Sequence, residues 1–392
     1  MDTYFHQRNW EDFVYQRLNE MIAKYRHDPD AYVVFDFDNT SCFMDIEDNF
    51  MIYLMEHLGY KLSPEEFHQV LTDDFFQKEL ASSFDARRPE LTGENLAADI
   101  AEQYSYLYDH YISRSDKNEE LLVSVKESPQ YQTFRAKLRY FYTYVNTYFV
   151  RQPNKGWLTY LFAGHTVEEL RQLAKASLKE ALARPFEQVE FRSSDQLPGR
   201  SGEVRAFFQS GLRFPQELVD LFQVLHRSQI PVYIVSASPK ELVQVAVEEY
   251  GYQVPEDQII GMVFQTSQEG KILPQMAPDS PITRGEGKTQ AIQEVIMPRH
   301  HRREPIAMFG DSLGDYHMMK TFKHADLNVL FNRLMNDNFR NLVEQAVQQY
   351  RQPQAQFVLQ GRDDNQGCLR RSPESIPFGK SSGGLYPENI QE

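Results

Sequence analysis

The sequence predicts an α/β protein: a parallel sheet flanked by helices, carrying a large inserted helical domain. Three observations predict it. Short apolar runs at residues 31–35 (AYVVF), 231–237 (PVYIVSA) and 305–309 (PIAMF) show no polar alternation. Strands buried on both faces of a parallel sheet read this way. Helix-patterned segments at 214–228, 240–250 and 288–297 alternate with these runs, as βαβ units require. From about Ile46 to Arg213, between the first and second runs, strand signals are few and the pattern is helical.

Taken in order, the first 27 residues place Phe13, Leu18, Met21, Ile22 and Tyr25 at helical spacing and predict an amphipathic helix. His27-Asp28-Pro29-Asp30 ends it, and the first strand follows. Residues 1–45 and 212–350 are assigned to a discontinuous α/β core, and 46–211 to a helical cap. A fourth core strand is expected at 327–331. After Tyr350 the chain turns rich in Gln, Gly, Ser and Pro. Residues 351–392 are therefore read as an extension, ordered to about residue 371 and flexible beyond it. Residues 356–360 are expected to add a short strand.

Composition narrows the function classes. At roughly 150 residues per domain, 392 residues suit two or three domains, enough to bury a core without disulfides. A formal charge of −15 repels nucleic acid backbones and anionic membranes, so neither is expected as a partner. Two cysteines, Cys42 and Cys368, exclude a disulfide framework and a Cys-built zinc site. No apolar run approaches the ~18 residues of a membrane span, and no secretory signal is visible at the N-terminus. A cytoplasmic location is expected.

The chemistry gathers where core strands end. Ligands in open α/β sheets bind beyond the strand C-termini. The first strand leads into Phe35-Asp36-Phe37-Asp38-Asn39-Thr40, two carboxylates two residues apart; Asp and Asn also suit turns. The second ends in Val235-Ser236-Ala237-Ser238-Pro239. Ser236 could donate to a phosphate oxygen, but alone the motif is better read as a serine cap on the next helix. The third ends in Phe309-Gly310-Asp311-Ser312-Leu313-Gly314-Asp315, hard oxygen ligands of the kind Mg²⁺ prefers. Before it, Gly285-Glu286-Gly287-Lys288-Thr289 starts a helix. A lysine there opposes the helix dipole and suits anion holding, although a single Lys is more often an exposed surface residue. Four acids crowded at one edge repel one another, so a cation is implied.

This ordered set resembles the haloacid dehalogenase superfamily of phosphohydrolases. The resemblance rests on Asp36-x-Asp38-Asn39-Thr40, Ser236, Lys288 and Gly310-Asp311-Ser312-x-x-Asp315, and covers roughly residues 30–45 and 212–335. It implies a Rossmann-like core with a helical C1-type cap, and a phosphatase of small phosphorylated metabolites. Asp36 resembles the nucleophile that forms an aspartyl-phosphate, and Asp38 the general acid and base. Thr40, Ser236, Ala237 and Lys288 would bind phosphoryl oxygens. Mg²⁺ would be held by Asp36, the Asp38 backbone carbonyl and Asp311. Asp315, with Ser312, would orient metal-bound water or Lys288. A second acid at Asp38 argues against the dehalogenase branch, and the lack of membrane helices against P-type ATPases.

The large cap resembles that of phosphoserine and phosphorylcholine phosphatases. The family's amine-binding Glu, nine residues past the nucleophile, corresponds here to Asp45, with Glu47 and Asp48 just beyond. Such an acidic cluster could hold a cationic head group or simply start a helix. Nine of the 22 tyrosines fall between Tyr104 and Tyr148. Tyr104, Tyr108 and Tyr111 share one helical face, and Tyr140, Tyr144 and Tyr148 another. They could cage a quaternary ammonium, but such stripes are more often helix packing. The run 36–47, Leu161-Phe-Ala-Gly-His-Thr166 and Leu359-Gln-Gly-Arg-Asp363 point toward the phosphorylcholine-phosphatase-like group. His165 is a candidate for the cap cleft, though a lone His is usually structural. Alternatives are a phosphoserine-like phosphatase, a phosphotransferase, and a non-catalytic protein that binds a phosphorylated ligand.

Overall fold

The structure, a computed structural model, describes residues 3–72, 82–149 and 158–390; side chains of 146–149, 158 and 159 lie outside the described set. Six strands form the core sheet: β1 (Val33–Phe35), β2 (Val232–Pro239), β3 (Ile259–Met262), β4 (Ala307–Gly310), β5 (Leu327–Phe331) and β6 (Phe357–Gln360). They lie in the order β6-β5-β4-β1-β2-β3, and every pairing is parallel. The three strands expected to carry chemistry, β4, β1 and β2, are therefore adjacent at the centre. β3 was not expected: Ile259-Ile-Gly-Met262 is only four residues long, and a run that short carries no period.

Both sheet faces are covered, which is why these strands are continuously apolar. Phe35, Ile234, Phe309, Val329 and Phe331 enter the larger core, where Phe35 stacks on Phe309 with ring centroids 3.7 Å apart. Val34, Tyr233, Val235, Met308 and Leu330 enter a second core on the opposite face. The N-terminal helix, Asp12–Tyr25, buries Phe13, Leu18, Met21, Ile22 and Tyr25, the stripe that predicts it.

The inserted region carries helices Ile46–His57, Gly93–Leu107, Pro129–Phe149 and Val167–Ala183, among others, and one antiparallel hairpin, Gln188–Arg192 with Arg205–Gln209. Its two connections to the core pair with each other: the Phe43 amide donates to the Arg213 carbonyl at 2.8 Å, and the Arg213 amide returns the bond at 3.4 Å. A second hairpin, Phe264–Thr266 with Ile272–Met276, reaches up from the core. Ile272 exchanges backbone hydrogen bonds with Gly164 (2.9 Å) and His165 (2.8 Å) of the insertion. Arg171–Glu248 (2.6 Å) and Lys175–Glu249 (2.7 Å) add ion pairs across the same seam. Inside the insertion, the Lys137 ammonium is fully buried against Asp99 at 2.7 Å. Burial tends to raise the Asp99 carboxyl, but the bonds from Lys137, Ser201 and the Arg200 amide hold it below its ordinary value.

The tail departs from its composition. Flexibility is expected beyond residue 371, yet the chain stays packed to Ile390. The reason is side-chain bonding to backbone, to which Gly and Ser content is blind. Buried Asn332 donates to the Pro373 and Leu385 carbonyls at 3.2 and 3.1 Å, and the Ser375 hydroxyl donates to the Asn332 carbonyl at 2.6 Å. Ser375 and Gly384 exchange backbone bonds, and Arg340 pairs with Glu388. Gly361 marks where the tail turns in: a Cβ there would stand 2.2 Å from the Ser372 carbonyl oxygen and 2.3 Å from that of Glu374. Both obstacles are backbone, so Gly361→Ala is expected to cost about 1–3 kcal/mol. A lowered midpoint of thermal unfolding, read by calorimetry, checks this.

Candidate active site

The C-terminal edge of β4, β1 and β2 brings Asp36, Asp38, Ser236, Asp311, Asp315 and Lys288 together. Just past β1 the chain folds into a tight loop: the Ser41 amide and hydroxyl donate to the Phe37 and Asp36 carbonyls, both at 2.7 Å. Asn39 takes a left-handed φ of +59°, which Asn accepts more readily than most residues. The loop sends the two acids apart. Asp36 accepts from Lys288 Nζ at 2.5 Å. Asp38 accepts instead from the Ile46 amide (2.8 Å) and from the Ser238 hydroxyl (2.7 Å).

Lys288 is 3% exposed, not the surface lysine that base expectation favours. It sits in the first turn of helix Glu286–Ala291, and its ammonium bridges Asp36 and Asp315 (2.7 Å). Asp315 is further occupied by the Asp311 and Ser312 amides at 3.0 and 3.3 Å. A Cβ at Gly310 would stand 2.6 Å from the Asp315 side chain, so the glycine in this motif makes room for that carboxylate. Thr40 donates to Asp311 at 2.9 Å. Oxygens of Asp36, Asp311 and Asp315 all lie within 4.8 Å of one another.

Such crowding perturbs titration. Burial first, then the neighbouring Asp315, pushes Asp36 well above the ordinary carboxyl range, against the pull of Lys288. Burial pushes Asp38 up to about 6, restrained by its bonds from Ser238 and the Ile46 amide. Burial alone would lower Lys288, but Asp315 and Asp36 outweigh it and the net shift is upward. A buried lysine facing two acids stays charged.

Ser236 is fully buried and Ala237 half-buried. Neither Ser236 nor Ser238 caps the next helix. Lys240–Glu249 begins after Pro239 with no side-chain cap bond, because Ser236 Oγ accepts from the Ser238 amide at 3.1 Å while the Ser238 hydroxyl is used by Asp38. Asp45 takes the plainer of its two readings: it caps helix Ile46–His57 by accepting from the Asp48 amide at 2.9 Å. Asp48 is held bidentate by Arg139 at 2.8 and 2.9 Å. Burial, with Asp38 next, raises Glu47 to about 8, opposed by Arg284. The three acids are thus not an open anionic cluster: one is neutralised by arginine and another is protonated near neutral pH.

Three of the tyrosines of the inserted region pack against phenylalanine. Tyr104 is fully buried, stacked on Phe67 at 3.8 Å with its hydroxyl donating to the Leu62 carbonyl. Tyr140 and Tyr144 both stack on Phe84; the Tyr148 side chain lies outside the described residues. His165 bonds the Gly59 carbonyl at 2.9 Å, a structural role. Sequence reasoning missed two arginines. Arg333, two residues past β5, pairs with Asp311 at 2.7 Å, and its place at a strand end was the available signal. Arg362, inside the Gln360-Gly-Arg-Asp segment, reaches the Asn39 carbonyl at 2.6 Å.

Residues 140–320 match the family model of haloacid dehalogenase-like hydrolases. No curated protein matches the chain. Among solved structures, a conserved protein of unknown function from Anaerococcus prevotii DSM 20548 is 27% identical, with a TM-score of 0.84 over 96% of this chain and 100% of that one. A phosphoserine phosphohydrolase-like protein from Francisella tularensis subsp. tularensis SCHU S4 aligns at 12% identity and a TM-score of 0.34, over 80% of this chain and 92% of that one. Among the described residues no helix is long and apolar enough to cross a membrane. The matched family model, over residues 140–320, makes the chain similar to haloacid dehalogenase-like hydrolases across that stretch, where Ser236, Lys288, Asp311 and Asp315 lie.

Proposed function

We propose that the chain is a Mg²⁺-dependent phosphomonoester hydrolase for a small phosphorylated metabolite, working through an aspartyl-phosphate on Asp36 beneath a C1-type cap. The observation that carries the reading is the division of labour between two acids on one loop. Asp36 faces the buried Lys288 ammonium (2.5 Å), whereas Asp38 turns away and titrates near 6. One is placed to attack, the other to trade a proton.

Mg²⁺ suits the donor set, because Asp36 and Asp311 offer hard carboxylate oxygens within the 4.8 Å cluster. The Asp38 backbone carbonyl would be a third ligand, and Asp315, already filled by Lys288 and two amides, supports from behind. When bound, the cation would neutralise phosphate charge in a chain of net charge −15.

An Asp36 oxygen attacks phosphorus as the bond to the leaving oxygen breaks, and the Asp38 carboxyl gives that oxygen its proton. Asp38, now ionised, takes a proton from water; the hydroxyl oxygen attacks phosphorus, and the bond to Asp36 breaks, freeing phosphate. Lys288, Thr40, Ser236 and the Ala237 amide stabilise phosphoryl oxygens, and Ser312 steadies the Asp311 turn. Glu47, whose carboxyl feels Asp38, would face the leaving group, while Asp45 is spent on capping helix Ile46–His57. A cationic group such as choline or ethanolamine would draw Glu47 into its ionised form.

Hydrolysis of p-nitrophenyl phosphate should require a divalent metal and fall at least ~10³-fold in Asp36→Asn, as loss of a nucleophile does; undiminished turnover in that variant refutes the mechanism. Mg²⁺ at about 100 times its Kd should stabilise the fold by about 2.7 kcal/mol, and Asp311→Asn should remove that shift in a thermal melt. Lys288→Met strips the counter-charge from two buried acids and should cost about 3–5 kcal/mol in denaturant unfolding. A panel of phosphomonoesters tests the leaving group: phosphocholine and phosphoethanolamine should exceed uncharged alkyl phosphates in kcat/KM.

A further inference from the structure

The catalytic loop is gripped by a residue from the far end of the chain. Arg362 is 1% exposed and stands 323 residues from Asn39 in sequence. Its Nη1 donates to the Asn39 backbone carbonyl at 2.6 Å, and its Nη2 to the Asn39 side-chain oxygen at 3.3 Å. The remaining edge of the guanidinium, Nε, donates to Asp364 Oδ1 at 2.5 Å, and its face lies over the Phe43 ring at 4.3 Å. All three guanidinium nitrogens donate, and two of the arginine's targets, Asn39 and Phe43, lie on the loop that carries Asp36 and Asp38.

The gripped residue is the one that turns the loop. Asn39 holds the left-handed φ of +59° and donates its amide to the Met44 carbonyl at 3.1 Å. It separates Asp38, whose carboxylate is aimed at Ser238, from Thr40, whose hydroxyl is aimed at Asp311. Fixing Asn39 therefore fixes the direction of both neighbours. The arginine is itself held by the tail: its amide donates to the Ser375 hydroxyl at 2.9 Å, and its carbonyl accepts from the Ile376 amide at 2.9 Å. Gly361 lets the backbone enter this crowded place.

We infer that Arg362 is a positioning residue, a clamp that the C-terminal segment supplies to the catalytic loop, with Asp364 holding the clamp in orientation. The inference rests on Asp36 and Asp38 being the acting carboxylates. Lysine keeps the charge but has no planar fork, so Arg362→Lys separates geometry from charge.

The test compares the wild type, Arg362→Lys, Asp364→Asn and the double variant. Each is measured for p-nitrophenyl phosphate kinetics, for Mn²⁺ binding by electron paramagnetic resonance, and for its melting midpoint. Arg362→Lys is expected to lose about 10- to 100-fold in kcat with KM nearly unchanged, and about tenfold in Mn²⁺ affinity, as loss of an outer-shell partner does. Asp364→Asn should lose less in the same direction, and the double variant no more than Arg362→Lys alone, the non-additivity of a shared role. A folded Arg362→Lys with wild-type kcat and Mn²⁺ affinity overturns the clamp, as does a lowered midpoint without a kinetic change. If Arg362→Lys does not fold, Asp364→Asn decides on the same readouts. A wild type that binds Mn²⁺ but turns over no phosphomonoester defeats the phosphatase reading instead, and the Mn²⁺ arm still judges the clamp.

Discussion

The structure turns on one buried ammonium. Lys288 lies between Asp36 and Asp315 with almost no surface exposed. Like charges so close in a low dielectric would otherwise force protonation or unfolding. Two of the three central strands, β1 and β4, can deliver acids to a common edge only because this cation arrives on a helix that follows neither of them. Gly287 shows how tight the delivery is: a Cβ there would overlap the Ile282 carbonyl oxygen at 1.7 Å. Arg333 repeats the arrangement at Asp311 from β5. Charge balance in the site is thus assembled from separate strands, and the sheet order is what makes the balance local.

A second theme is the division of roles among carboxylates that look alike in sequence. Asp36, Asp38, Asp45 and Asp48 fall within 13 consecutive residues, yet each has a different partner: an ammonium, a hydroxyl, a helix amide and a guanidinium. Their titration follows from those partners. Asp48 is lowered because Arg139 overcomes its burial. Asp45 and Glu47 are raised because nothing overcomes theirs.

Legibility in the sequence followed the same physics. The buried strands and the acids after them could be read because burial on both faces leaves no alternation, and because a polar residue straight after such a run is conspicuous. Tyr104, Tyr140 and Tyr144 could be read as packing from their helical spacing. What escaped reading depends on partners far along the chain. Ser238 reads as a helix cap until Asp38, 200 residues away, takes its hydroxyl. The Gln360-Gly-Arg-Asp segment stands out but has no meaning without Asn39. The end of the tail reads as flexible because Gly and Ser are counted while the anchoring Asn332 and Ser375 are not. The short edge strand β3 and the hairpin that meets the inserted region are too brief to carry a period.

The sequence separations have a consequence in time. The first motif pairs with a lysine 252 residues later and an arginine 323 residues later. During synthesis at roughly 5–20 residues per second, the acids of the loop leave the ribosome well before either cation exists. A nascent chain therefore carries the acidic loop for tens of seconds before its two cations follow, and the geometry of the loop is completed only by segments made long after it. The charge balance of this site is a property that the chain acquires late, one cation after the other.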